Sequence, residues 1–296
     1  MKLFLLLACF FCLNVNSQIV KGIVKDSLTN EVLSYANIAL VSKNIGTSTN
    51  QKGEYLFEIK GNSNDTLLVS SLGYATKYIL LKDFNINKEY NLNISLLQEK
   101  QSIDEIVLIV KKTKYTKSKK LGVAKRKKYP SSVPFGTETC LLIKNTESKE
   151  GKLKELAFYL KENKTSIYEV LPVYYKIKFY NYDSLNDEPR ELLSYENIII
   201  KPKNKTQKII VDLEGYNILF PLNGICVGIE AVNPKSIKST KSMYTIAPIL
   251  LKTHDKKALS WSSFRGKKWN KNNRISVFKR KMFVNPLINL EVKFKK

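Results

Sequence analysis

The chain is organised by a series of short apolar stretches that begins with Val20-Lys21-Gly22-Ile23-Val24-Lys25-Asp26. Apolar residues alternate here with polar residues or glycine, which is typical of a β-strand that buries one face. Comparable runs, each closed by turn residues, follow at Ala36–Val41, Glu54–Ile59, Leu67–Ser70, Tyr78–Leu81 and Leu92–Leu96. A spacing of roughly 8–12 residues between short strands predicts a small antiparallel β-sandwich.

Single residues along these strands form a wider pattern. Its members are Gly22, Val24, Asp26, Thr29, Leu33, Ala36, Ile38, Gly46, Thr47, Thr49, Gly53, Tyr55, Phe57, Val69, Ser70, Gly73, Tyr74, Leu96 and Asp104–Val107. As a set they resemble the carboxypeptidase-regulatory-like domain, a family with a transthyretin-like β-sandwich fold that often follows the signal peptide of envelope proteins. That family carries no catalytic residues of its own. The resemblance therefore implies an accessory module over residues 18–110, with residues 103–110 as its last strand.

Residues 1–17 have the composition of a signal peptide. Lys2 precedes an apolar core from Leu3 to Leu13, and Val15-Asn16-Ser17 offers a cleavage site before Gln18. The core is shorter than the roughly twenty residues that span a bilayer. Cys9 lies in a sequence similar to a lipoprotein cleavage box, so lipidation stays open. We predict an exported protein that is periplasmic or associated with the outer membrane.

The formal net charge is +24, and lysine supplies nearly all of it because only five of the 50 basic residues are arginine. Nucleic-acid recognition relies on arginine forks, and with export in addition no nucleic-acid partner is expected. Residues 111–128 contain ten basic residues and no acid, which predicts a basic linker over residues 111–134. It is either a solvated spacer or an electrostatic tether to an anionic surface. The tether residues would be Lys119, Lys120, Lys125, Arg126, Lys127 and Lys128.

The second half, residues 135–296, also has the pattern of a β-sandwich, of jelly-roll type. Leu153–Leu160 is compatible with a helix, but its aromatic and β-branched neighbours favour a strand. A similar sandwich region follows the regulatory-like domain in many exported proteins. The predicted strands are Thr137–Lys144, Leu153–Leu160, Val173–Tyr180, Ile198–Ile200, Lys208–Leu213, Ile225–Ala231 and Ile288–Val292.

The sequence lacks the common catalytic motifs. It has no Gly-x-Ser-x-Gly elbow and no phosphate-binding loop, and its single histidine, His254, is expected on a basic surface loop. We therefore predict no enzyme activity, no cofactor and no metal. Cys140 and Cys226 are expected as buried thiols, and whether they pair is open.

Two alternative functions remain at this point. Glycoside hydrolysis needs only paired carboxylates, and five carboxylates lie near predicted strands: Glu138, Glu169, Glu196, Asp212 and Glu230. Glycan binding needs exposed aromatic rings, and the candidates are Trp261, Phe264, Trp269, Tyr174 and Tyr175, with the segment from Trp261 to Trp269 predicted as a loop; the other interpretation of these rings is core packing. The leading hypothesis is a non-enzymatic exported binding or scaffolding protein. Its partner would be an envelope protein, a glycan or an anionic membrane surface.

Overall fold

The computed structural model describes residues 17–60, 64–82, 89–99, 114–124, 129–234, 243–273, 275 and 282–296. The chain forms two compact units, residues 1–98 and residues 99–296. The described residues form strands and a single turn of 3-10 helix, Glu214–Tyr216, which confirms the predicted all-β fold class. The predicted signal peptide, as far as residue 16, and the predicted strand 103–110 lie outside the described residues.

The first unit is a sandwich of two four-stranded sheets. Its strands are β1 (Ser17–Asp26), β2 (Asn37–Leu40), β3 (Gly46–Ser48), β4 (Glu54–Lys60), β5 (Thr66–Ser70), β6 (Lys77–Leu80), β7 (Glu89–Asn91) and β8 (Ile94–Leu96). One sheet has the order β4-β1-β7, with β8 also paired to β1, and the other has the order β3-β2-β5-β6. β1 pairs with β7 and β8 in parallel, so the predicted antiparallel arrangement is wrong for this edge.

The alternation of the first strands places their apolar residues between the two sheets. Val20 and Val24 of β1 pack in one core with Ile38, Phe57 and Val69 from β2, β4 and β5. Gly22 is required where β1 passes from β7 to β8, because a Cβ there would lie 2.1 Å from the Leu92 carbonyl oxygen. Gly53 closes the turn before β4, with a φ of 71°.

The second unit contains the remaining strands. They are β9 (Lys119–Gly122), β10 (Tyr129–Pro130), β11 (Thr137–Ile143), β12 (Gly151–Lys161), β13 (Glu169–Pro172), β14 (Tyr174–Asp183), β15 (Glu188–Leu192), β16 (Ile198–Ile200), β17 (Gln207–Asp212), β18 (Leu219–Phe220), β19 (Ile225–Val232), β20 (Tyr244–Ala247), β21 (Ile249–Asp255), β22 (Ser260–Phe264), β23 (Asn270–Lys271), β24 (Phe283–Pro286) and β25 (Ile288–Phe294). Each of the seven predicted strands is present, including β12 where a helix was the alternative.

Two large sheets enclose the core of the second unit. One follows the order β10-β21-β12-β25-β9, and the other follows β15-β14-β19-β11-β22-β23. Leu156 and Phe158 of β12 meet Tyr175 and Ile177 of β14 and Val227 of β19 between them. A separate pair, β13 and β20, is parallel.

The described part of the predicted basic linker contains two strands of the second unit, β9 and β10, which corrects that prediction. β9 pairs antiparallel with β25, and Tyr115 bridges to Lys295. Leu121 is buried in the core, and Lys119 forms an ion pair with Glu147 at 2.5 Å. Lys120 lies on the same strand, whereas the other four proposed tether residues, 125–128, lie outside the described residues. The lysine content alone led to the wrong prediction of a linker. One buried leucine, Leu121, and the edge of the partner strand β25 are enough for β9 to form.

The prediction for His254 is also wrong. It lies on β21, opposite Val284 of β24, and it is buried. The neighbouring Thr253 donates a hydrogen bond from Oγ1 to the carbonyl oxygen of Ala124 at 3.0 Å. The polar residues around His254 suggested a loop. In the structure, β21 pairs with β10, β12 and β24.

Candidate functional site

Of the five aromatic residues proposed to bind a glycan, Trp261 and Trp269 pack in one cluster and Tyr175 lies in another. Trp261 is only 2% exposed, and Tyr175 lies in the main core between the sheets. The segment predicted as a loop begins with strand β22, which pairs with β11. Trp261 therefore packs in the protein, and an exposed stacking surface built on it is not present.

The other three candidate rings are half-buried. Trp269 packs edge-on against Tyr180, with 5.5 Å between ring centroids. Tyr174 lies under the Lys201 amine at 5.6 Å, and Phe264 has Lys267 at 5.9 Å from its centroid. These rings occupy different places and do not form one platform.

Two of the five candidate carboxylates are brought together. Glu138 on β11 lies directly opposite Glu230 on β19. Glu169 lies on β13, Asp212 ends β17, and Glu196 is exposed in a loop. Only the β11–β19 register creates a pair, and no sequence pattern signals which residues face each other across two strands.

Lys178 of β14 joins this pair. Its Nζ lies 2.7 Å from Glu138 Oε2 and 2.8 Å from Glu230 Oε2. Tyr180 donates its hydroxyl to Glu138 Oε1 at 2.8 Å. Period-two alternation positions these groups, because Tyr175, Ile177 and Phe179 of the same strand face the main core. We call Glu138, Lys178, Tyr180 and Glu230 the buried charge cluster.

Burial controls the electrostatics of the buried charge cluster. It raises the pKa of Glu138, against the lowering effect of Lys178. Burial alone would lower the pKa of Lys178, but Glu138 and Glu230 together raise it well above its ordinary value. Lys176, further along β14, has its pKa lowered to about 8 by burial and then by the Lys178 charge. Lys178 thus stays cationic between the two acids.

The arrangement does not fit glycoside hydrolysis. A hydrolase needs its two carboxyl groups on either side of an open space for the sugar. Here the amine of Lys178 fills that space, and Glu138 and Glu230 are both buried. Chemically the cluster can cross-link three strands, β11, β14 and β19, on the face opposite the main core.

A polar cleft lies at the edge where the two large sheets of the second unit separate. It has a volume of about 160 Å³ and is lined by Ser131, Thr139, Lys252, Ser260, Asn272, Val284 and Pro286. Thr139 and Ser260 come from β11 and β22 of one sheet, and Lys252 comes from β21 of the other. We call this space the edge cleft.

Hydrogen bonds fix the polar wall of the edge cleft. The Asn272 backbone N–H donates to the Ser260 carbonyl at 2.8 Å. The Asn272 side chain accepts from Ser262 Oγ at 3.1 Å and donates from Nδ2 to Ser260 Oγ at 3.3 Å. Sequence reasoning missed this wall entirely. The available signal was the sequence Ser260-Trp261-Ser262, in which an aromatic residue alternates with hydroxyls that face into the sandwich.

Two further features bear on function. Among the described residues, no cluster of His, Cys, Asp and Glu could hold a metal ion. Within the same part of the chain, no helix has the length and apolar character needed to cross a membrane.

Comparison with known proteins gives a family for the first unit. Residues 20–108 match the family model of the CarboxypepD_reg-like domain, which confirms the resemblance found in the sequence. No curated protein matches the chain.

Three similar solved structures each share 10% sequence identity with this chain. A candidate carbohydrate binding protein from Bacteroides uniformis has a TM-score of 0.23, over 94% of this chain and 99% of its own. A DUF3823 family protein from Parabacteroides merdae has a TM-score of 0.21, over 79% and 100%. A candidate membrane-associated protein of unknown function from Bacteroides fragilis has a TM-score of 0.23, over 95% and 98%. Such low scores carry no argument about function.

Proposed function

We propose that this chain, whose first unit is a CarboxypepD_reg-like domain, is a non-enzymatic exported binding protein of the cell envelope. The observation that carries the proposal is the edge cleft, a preformed polar space on a rigid two-sheet scaffold. The buried charge cluster serves stability in this view, because its groups are bound to one another. The first unit is an accessory module without chemistry of its own.

The size of the edge cleft limits the ligand. Sites for drug-sized ligands measure about 300–1,000 Å³, and the edge cleft has about 160 Å³. It is therefore matched to a single small ring or chain end. Hydroxyl and amide groups of Thr139, Ser260 and Asn272 offer donors and acceptors, and the Lys252 amine adds a positive charge. A terminal acidic sugar unit of a glycan has the matching chemistry.

Val284 and Pro286 supply the apolar part of the edge cleft. A pyranose ring presents hydroxyls at its rim and C–H groups on its faces, so a site with a polar wall and a small apolar wall suits it. This observation favours glycan binding over docking of a protein loop. It replaces the aromatic platform that the sequence suggested.

Calorimetric titration of the chain from Gln18 with glucuronate, glucose and acetate tests the proposal. We expect glucuronate to bind at least tenfold more tightly than glucose, since Lys252 contributes a charge-assisted contact. Asn272→Ala and Lys252→Met should each weaken glucuronate binding by about tenfold or more. Asn273→Ala is the matched control, because Asn273 is exposed beside the edge cleft and does not line it.

Three results would contradict the proposal. Glucuronate binding that is unchanged in Asn272→Ala and Lys252→Met would place the site elsewhere. Absence of binding by all three ligands would remove the edge cleft as a sugar site. Turnover of a glycan by the chain, measured by mass spectrometry after long incubation, would remove the non-enzymatic assignment.

A further inference from the structure

Four large apolar side chains are exposed together at one end of the second unit. Ile167 and Tyr168 are 75% and 39% exposed, and Met243 and Tyr244 are 61% and 36% exposed. The parallel pairing of β13 and β20 sets Glu169 opposite Tyr244, so the residues that precede each strand, Tyr168 and Met243, lie side by side. Exposed apolar residues are ordinary when single, but a cluster marks a contact surface. We call these four residues the apolar tip.

Two lysine-rich loops lie at the same end of the unit. The Asn163 backbone N–H donates to Asn204 Oδ1 at 3.1 Å, and Asn204 Nδ2 donates back to the Asn163 carbonyl at 3.1 Å. Asn163 Nδ2 also donates to Thr245 Oγ1 at 2.9 Å and to the Ile246 carbonyl at 3.0 Å. Because Thr245 and Ile246 follow the apolar tip directly on β20, these bonds hold both loops beside the tip.

The loops and the adjoining ends of β12 and β17 carry a net positive charge. Six exposed lysines lie there: Lys161, Lys164, Lys201, Lys203, Lys205 and Lys208. Between residues 161 and 168 and between residues 200 and 208, the single acidic residue is Glu162, which pairs with Lys164 at 2.9 Å. We call these six residues the lysine collar.

We propose that the apolar tip and the lysine collar form a docking surface for an anionic lipid bilayer. Aliphatic side chains such as Ile167 and Met243 gain free energy at the boundary of the acyl chains, and tyrosines are favoured at headgroup level. Lysines around them attract anionic headgroups. Nucleic acid would call for arginine and stacked rings, and a sugar offers no acyl phase for exposed aliphatic groups.

This surface shares no residue with the edge cleft or with the predicted basic linker. The lysine collar and the apolar tip contain none of the residues that line the edge cleft, so the inference stands whether or not a sugar binds there. The mode of attachment is peripheral, through side chains at the end of a β-sandwich.

Vesicle binding by the chain from Gln18 tests the proposal. Vesicles of phosphatidylglycerol and phosphatidylethanolamine are compared with vesicles of phosphatidylcholine, by co-sedimentation at low and at physiological salt. We expect binding to the anionic vesicles at least tenfold tighter than to the neutral ones, and weakened by salt. Neutralising two lysines in Lys203→Gln/Lys205→Gln should reduce partition about 25-fold, at about fivefold for each lysine. Ile167→Ser/Met243→Ser should reduce it tenfold or more.

Matched controls distinguish binding through this surface from nonspecific effects of charge and hydrophobicity. Leu185→Ser removes a residue that is 95% exposed at the other end of β14, and Lys256→Gln/Lys257→Gln removes two exposed lysines after β21. Both controls should leave partition within twofold of the parent. Insertion is read directly with Ile167→Trp, whose fluorescence should shift to the blue and be quenched by brominated lipid, whereas Leu185→Trp should respond to neither.

The proposal is overturned if the parent binds anionic and neutral vesicles equally, or neither. It is also overturned if the variants of the apolar tip and the lysine collar bind anionic vesicles as tightly as the parent and both control variants do. Binding to heparin or to single-stranded RNA without binding to vesicles would assign the surface to another polyanion and reject lipid. Circular dichroism melts of each variant show that the compared proteins are folded.

Discussion

Glu138 and Glu230 lie opposite each other on neighbouring strands, and both contact the same amine, Lys178 Nζ, at 2.7 and 2.8 Å. Two like charges directly across a sheet would repel each other. The cation from the third strand turns this repulsion into a bridge that links β11, β14 and β19. Lys178 thus links three strands of the second unit that are also paired through their backbones.

Lys178→Met should strongly destabilise the second unit. The methionine keeps the volume but leaves two buried carboxylates without their cation, and removal of one partner from a buried ion pair costs about 3–5 kcal/mol. Denaturant unfolding at pH 7 measures the loss. Lys256→Met is the matched control, since Lys256 is exposed and its loss should change stability by less than about 0.5 kcal/mol.

The same variant should recover stability in acid. Burial raises the pKa of Glu138, so the protonated acid is favoured in the folded state. The resulting penalty on the folded state is absent below the pKa that Glu138 has in the unfolded chain. It grows as the pH rises through the pKa that Glu138 has in the folded protein. The difference between Lys178→Met and the parent should therefore shrink as pH falls from 7 towards 4. A difference that is constant with pH would mean that the carboxylates are not the cause.

Gly228→Ala should also destabilise the second unit. A Cβ at this position would lie 2.1 Å from Glu138 Oε1 and 3.1 Å from Cε2 of Tyr180. Glu138 cannot simply move away, because Lys178 and Tyr180 hold both of its oxygens. We expect a loss of about 1–3 kcal/mol, as in other overpacked sites.

A double-mutant cycle checks the cause of the Gly228→Ala effect. In a Glu138→Ala background the obstructing carboxylate is gone, and Gly228→Ala should then cost less than in the parent. Equal costs in the two backgrounds would show that strain elsewhere on β19 is responsible. Gly215→Ala is a control, since a Cβ there meets nothing within 4 Å.

The strands that were predicted from the sequence share one property: their inward residues are apolar. Tyr175, Ile177 and Phe179 of β14 all face the main core, so the alternation was visible. β22 escaped prediction because its inward positions, such as Ser260, are hydroxyls at the edge cleft. The rule that finds strands therefore fails where a sandwich has a polar interior edge, which is also where a ligand can bind.

The pairing of functional groups could not be predicted, although the groups themselves could. Glu138 and Glu230 were both candidates, but their contact depends on the register of strands about 90 residues apart in sequence. In the same way, Met243 and Tyr168 meet only because β13 and β20 pair in parallel. The lysine content left an anionic surface open as a partner, and only the fold shows which lysines lie near exposed apolar groups.

Tyr74→Phe should make the first unit more sensitive to acid. Asp26 Oδ1 accepts from the backbone N–H groups of Leu28 at 2.7 Å and Thr29 at 3.1 Å, and Oδ2 accepts from the Tyr74 hydroxyl at 2.9 Å. These bonds, the backbone ones first, lower the pKa of Asp26. Because the pKa of Asp26 is lower in the folded protein, ionised Asp26 stabilises the fold at any pH above its pKa in the unfolded chain. This contribution is lost as the pH falls through the pKa of Asp26 in the folded protein.

Removal of the Tyr74 hydroxyl weakens the ionised form of Asp26, so the acid midpoint of the first unit should move to higher pH. At neutral pH the variant should lose about 1 kcal/mol, the usual worth of one hydrogen bond. Amide signals of β1 followed by NMR during acid titration report on this unit alone. Tyr78→Phe is the control, because Tyr78 is exposed on an edge strand; an equal shift in both variants would contradict a specific role for the Asp26–Tyr74 contact.

Cys140 and Cys226 should be present as thiols that native protein does not expose. They lie diagonally across β11 and β19, with Cys140 opposite Gly228 and Cys226 opposite Leu142, and both are buried and free. Burial, and then the contact with Cys226, raises the pKa of the Cys140 thiol well above its ordinary value. Because the thiolate is the reactive form, both factors suppress reaction.

A disulfide-exchange reagent at pH 8 should therefore modify neither thiol in the native chain from Gln18, and both after unfolding in guanidinium. Leu185→Cys, which adds an exposed thiol, should react within seconds as the control. Fast labelling of the parent would show that the sheet face opposite the main core is open to solvent, and a thiol count of zero after unfolding would show that the two residues are oxidised to a disulfide.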